Sequence, residues 1–82
     1  MYSHYVVVLD WATEDDEAVA ILGVTHTYEE AKEIFDKQLA EEKQYAEECK
    51  YEVNQEDAST FDAGRMGYWR MEHTTLYIQG VI

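Results

Sequence analysis

Between Thr27 and Cys49 the apolar residues Ala31, Ile34, Phe35, Leu39, Tyr45, Ala46 and Cys49 recur at spacings of three and four. That repeat is one face of an α-helix. The opposite face holds Glu29, Glu33, Asp36, Lys43 and Glu47, and Glu33 and Lys37 stand in the favourable i, i+4 order. Thr27-Tyr-Glu-Glu30 matches a capping box, in which the threonine hydroxyl accepts the Glu30 amide and the glutamate reaches back. The pattern predicts a helix from about 28 to 49, roughly 33 Å long at 1.5 Å per residue. One such helix in a chain of 82 residues cannot bury its own stripe. The remaining residues must supply the surface it packs on.

Those residues read as strands. Residues 4–11, HYVVVLDW, are rich in β-branched and aromatic types. Alternation puts Tyr5, Val7, Leu9 and Trp11 on one face and His4, Val6, Val8 and Asp10 on the other. Residues 17–25, EAVAILGVT, form a second run, and the short acidic segment between the two suits a hairpin turn. Residues 51–55 and 73–79 read as further strands. A long second hairpin joins them, with its third strand running irregularly to about Phe61 and its turn at DAGRMG, 62–67. Gly64 and Gly67 are then expected to supply positive φ angles there. The expected fold is α+β, a single domain over 1–82 with an antiparallel four-stranded sheet in ββαββ order. The helix packs on one face of it. The other face is expected to carry Tyr5, Val7, Trp11 and Tyr77, and to be apolar enough to need a homodimer or another protein over it.

Charge narrows the partners. The net charge is −12, with 18 acidic residues against six lysines and arginines. A body this acidic repels phosphates and anionic lipid, so no direct nucleic-acid or membrane binding is expected. Its electrostatic partners are cations and basic proteins. No apolar run approaches the ~20 residues of a membrane span. The chain starts at Met1 without a leader pattern, and Cys49 is its one cysteine. A complete cytoplasmic protein is expected.

Residues 10–17 place Asp10, Glu14, Asp15, Asp16 and Glu17 together with no basic residue. A calcium loop needs alternating ligands and a glycine at the reversal, and this segment has neither. It reads as a solvated hairpin tip and a partner contact. His4, His26, His73 and Cys49 form no ligand pair of zinc type, so no metal or cofactor is expected. Cys49 stands at the negative end of the helix dipole beside Glu47 and Glu48, the opposite of the setting of a reactive cysteine. Gly64-Arg-Met-Gly67 lacks the following Lys-Ser/Thr of a phosphate loop. Beside it, Arg65, Tyr68, Trp69 and Arg70 form the one basic-aromatic patch, a combination that favours protein interfaces. Gln38 and Glu42 fall inside the apolar stripe by angle. If the helix overhangs the sheet, Glu42 stays exposed or reaches a polar rim.

No catalytic pattern emerges, and a non-enzymatic interaction module is expected. In size and charge alone the chain is similar to small acidic inhibitors of phages and mobile elements. Some anti-CRISPR and anti-restriction proteins of that kind engage a basic, nucleic-acid-binding surface. The alternatives are a homodimeric structural or regulatory protein, and a small-ligand module on the uncovered sheet face.

Overall fold

The computed structural model describes residues 1–82. Its elements run β1 (His4–Ala12), β2 (Glu17–Thr25), α1 (Tyr28–Glu48), β3 (Glu52–Glu56), β4 (Thr60–Met66) and β5 (Met71–Val81). All neighbouring strands are antiparallel, in the order β2-β1-β5-β4-β3. The fold is therefore α+β with one helix and a five-stranded sheet. The fifth strand arises where a turn was expected. DAGRMG is not a reversal: Asp62–Met66 are ladder residues of β4, paired to β5 from Asp62↔Thr75 to Met66↔Met71. The reversal falls earlier, where Asp57 accepts the Ser59 amide at 3.0 Å and the Asp57 amide donates to the Thr60 carbonyl. No glycine has a positive φ; the residue that does is Lys50, at 58°.

Lys50 ends the helix. Its amide donates to Glu47 O at 3.1 Å and the Tyr51 amide to Ala46 O at 2.8 Å, the paired bonds of a Schellman motif. At the other end Thr27 accepts the Glu30 amide at 3.2 Å, while its hydroxyl donates to the Glu30 carboxylate at 2.9 Å. The carboxylate thus meets the hydroxyl rather than the Thr27 amide.

The helix lies on the face defined by Val7, Phe61, Ala63 and Leu76, and Ala31, Phe35 and Ala46 close that core from above. Gly23 makes room for it, since a Cβ there would stand 2.6 Å from Ile34 Cδ1. This reverses the expected assignment of faces. Val7 is fully buried beneath the helix, Tyr5 and Leu9 pack against the same core, and Trp11 shares their parity. Physically, the purest apolar face of β1 goes to the helix. Of the four residues placed on the uncovered face, Tyr77 alone is there, opposite Val8.

Candidate functional site

Register and alternation lay out the open face in rows across the sheet. The first runs Val24, Val6, Gln79; the second Ile21, Val8, Tyr77, Thr60. The third runs Val19, Asp10, Thr75, Asp62, Gln55, and the fourth Glu17, Ala12, His73, Gly64, Glu52. The face thus grades from apolar to acidic. Val19, Ile21 and Val24 are 64%, 58% and 62% exposed, an apolar patch on edge strand β2. In the acidic half Asp10 lies 3.3 Å from His73 Nε2, and Thr75 donates to Asp62 at 2.5 Å. No strand residue of these rows is a lysine or arginine, and the one guanidinium that reaches them is that of Arg70, 3.7 Å from Glu17 at the end of the fourth row. Lys32, Lys37 and Lys43 are in α1 and Lys50 just after it. Arg65 pairs with Glu72 at 3.7 Å, on the helix side.

The acidic tip and the basic-aromatic patch, distant in sequence, meet at one end of the sheet. The β1–β2 turn is tight: the Thr13 amide donates to Asp16 O at 2.7 Å, and Thr13 Oγ1 accepts the Asp16 amide at 3.2 Å. Arg70 holds it from the β4–β5 turn. Its Nε donates to Thr13 O at 2.6 Å, its Nη2 to Asp16 O at 2.8 Å, and Nη1 lies 3.7 Å from Glu17. The Glu14 carboxylate accepts the Tyr68 amide, and the Trp69 indole donates to Glu14 O at 3.3 Å. Both turns therefore point the same way, because the β1 end at Ala12 pairs with the β5 start at His73. Glu14, Asp15, Asp16, Glu17, Tyr68, Trp69 and Arg70 form one cluster. Asp10 stands on the open face beside it, and Arg65 is apart, on Glu72. Tyr68 and Trp69 remain 92% and 71% exposed.

The helix side carries a second group of polar residues. Glu42 is buried, contrary to the overhang expected, and its hydrogen-bond donors are Gln38, one helical turn before it, and Thr74, far away in sequence. Its Oε1 accepts from Thr74 Oγ1 and its Oε2 from Gln38 Nε2, each at 2.7 Å. Leu9, Trp11, Thr13, Glu42, Tyr45 and Thr74 line a cleft of about 320 Å³ between β1, β5 and the second half of α1. This cleft lies on the helix side of the sheet, not on the open face. Beyond it Tyr51 donates to the buried Glu72 at 3.2 Å, and its ring meets Tyr45 edge-on at 5.7 Å. Burial first, then its neighbours Tyr45 and Glu72, push the Tyr51 hydroxyl well above the usual phenol range; burial also raises Tyr45.

No group of three or more His, Cys, Asp or Glu side chains converges on a point where a metal ion would sit. His4 and His73 lie on neighbouring strands but at opposite ends, facing Val81 and Ala12. No helix is long and apolar enough to cross a membrane. A scan of protein-family models finds no matching family, and searches of curated proteins and of solved structures return no match.

Proposed function

We propose that this chain is a protein-interaction module whose open sheet face docks a basic, partly apolar surface of another protein. The segregation of charge carries the reading. Asp10, Glu52 and Asp62 stand on the open face with no lysine or arginine beside them and Glu17 meets only Arg70 at its end, while the four lysines lie on α1 or just past it, among eight acids of the helix. The apolar surface at Val19, Ile21 and Val24, with the half-buried Val6 and Tyr77 beside it, supplies desolvation, and the carboxylates supply orientation and encounter rate. Tyr68 and Trp69, exposed at the acidic end, are of the types that dominate interface energetics. A basic surface that otherwise holds nucleic acid is a natural occupant, and the protein would act there as an inhibitor.

A second reading, a homodimer, is favoured by β2, a nine-residue edge strand with no lysine or proline to blunt it. Charge opposes it, since two copies would bring −12 against −12. Absolute mass by light scattering at about 50 mM and 500 mM salt separates the two, with Debye lengths of about 14 and 4 Å. A monomer at the lower salt supports docking of a different protein. A dimer that persists there overturns it in favour of self-association.

A further inference from the structure

We propose that the cleft between Leu9, Trp11, Thr13, Glu42, Tyr45 and Thr74 is a binding site for an alkylammonium group, a monocation carried on an aliphatic stem. The site lies on the opposite side of the sheet from the open face and stands independently of the reading above.

Four observations converge on that chemistry. The cleft, about 320 Å³, falls at the small end of ligand pockets. Its polar anchor is a carboxylate, Glu42, 9% exposed. That carboxylate makes no ion pair: the five pairs of the molecule involve other residues. Both of its bonds come from neutral donors, the Thr74 hydroxyl and the Gln38 amide. Each carboxylate oxygen keeps a free lone pair, so the charge is hydrogen-bonded but not neutralised. A buried carboxylate without a cation is the costly arrangement, and a ligand that brings the cation relieves it.

The walls choose among cations. A divalent metal needs several oxygen ligands at once; beside its one carboxylate the cleft offers only neutral hydroxyls, and its main walls are Leu9, Trp11 and Tyr45. Those three side chains suit an aliphatic stem, and indole and phenol faces attract an ammonium. The guanidinium of Arg70, which also reaches the Thr13 carbonyl, is committed to Thr13, Asp16 and Glu17. An anion meets Glu42 directly and is excluded. A neutral apolar molecule strips water from Glu42 without replacing it. An alkylammonium satisfies every wall. A free amine and a lysine side chain of another protein share this chemistry.

The test is a titration followed by amide and indole NMR at matched ionic strength, with n-butylammonium, n-butanol and a capped lysine as probes. Saturable shifts at the Trp11 indole and the Leu9 and Thr74 amides are expected with n-butylammonium. n-Butanol is expected to bind at least about tenfold more weakly, and Glu42→Gln to bring the ammonium down to the level of the alcohol. Glutamine keeps an acceptor for Thr74, and resonances of the β3–β4 hairpin report whether the variant remains folded. If it does not fold, the ammonium-to-alcohol comparison on the native chain decides alone. Equal binding of the two probes, absence of saturable shifts, or a Glu42→Gln variant with undiminished ammonium binding would overturn the proposal. Binding of the capped lysine as tightly as n-butylammonium assigns the cleft to a chain-borne lysine. Binding of n-butylammonium alone assigns it to free amines, and either result upholds an ammonium site.

Discussion

Arg70 reaches across the end of the sheet and donates from Nε to the carbonyl of Thr13 at 2.6 Å, joining turns that lie 57 residues apart in sequence. Five carboxylates in eight residues would repel one another at a free hairpin tip. Here the guanidinium spans two carbonyls of that tip and stands near Glu17. The acidic tip and the basic patch are therefore one structure, and what the cluster leaves exposed is Tyr68, Trp69 and the outer acids.

Replacing Arg70 tests this directly. Arg70→Gln removes the two carbonyl contacts and the neighbouring positive charge. A loss of about 1–2 kcal/mol is expected from charge-assisted bonds at a half-exposed site. Urea denaturation should show the midpoint falling with the slope unchanged. Hydrogen exchange should quicken at Asp16 and Tyr68 and stay unchanged in α1.

Glu42 depends on Thr74, the residue that makes its burial tolerable. Thr74→Val keeps shape and removes the hydroxyl, leaving the carboxylate with one donor, from Gln38. Stability is expected to fall by about 1–3 kcal/mol, a large share of the total for a chain this small. An equal loss in Thr74→Ser, which keeps the hydroxyl, would assign the effect to packing instead.

Lys50 occupies a left-handed conformation that glycine adopts without strain. Lys50→Gly should therefore stabilise the protein by about 0.5–1 kcal/mol, raising the thermal midpoint by a few degrees. A destabilising result would show that the lysine side chain, not the backbone, matters at this helix end.

Tyr51 and Tyr45 make stability fall on the alkaline side. Their folded hydroxyls hold protons above the ordinary phenol value, which is near 10. The unfolded chain therefore binds fewer protons in that window. Their contribution is complete below about pH 10 and declines as pH rises through and beyond it. Urea midpoints measured between about pH 9 and 11 should drop, and Tyr51→Phe should flatten the drop.

How far the sequence carried the fold follows from the range of each signal. The helix was expected over 28–49 and occupies Tyr28–Glu48, because the stripe and the capping residues are local. The first two strands are likewise where their β-branched runs lie. β4 was misread because Asp62, Gly64 and Gly67 are turn-formers. In the fold Gly64 is buried in the ladder, where a strand without a side chain lets β5 pack close. The Asp57-x-Ser59 pattern held the signal for the true reversal. The face of β1 was misassigned although its purer apolar side, Tyr5-Val7-Leu9-Trp11, is the natural one to bury. The Arg70 contacts were illegible for a different reason: their acceptors are main-chain carbonyls, which no residue type marks. The Glu42–Thr74 bond joins positions 32 residues apart, and only the packing of α1 on β5 brings them together.

The central claim is that the open, acid-bearing sheet face is the docking surface. It is tested most directly by NMR mapping with a basic amphipathic peptide of alternating lysine and leucine, on the native chain and on Ile21→Asp. Ile21 is exposed on the edge strand, so this variant should stay folded with at most about 1 kcal/mol lost. The expected result is shifts along Val6, Val19, Ile21, Val24 and Tyr77, weakened by Ile21→Asp and by raised salt. Shifts confined to α1 and its lysine-bearing surface, or unaffected by Ile21→Asp, would contradict it.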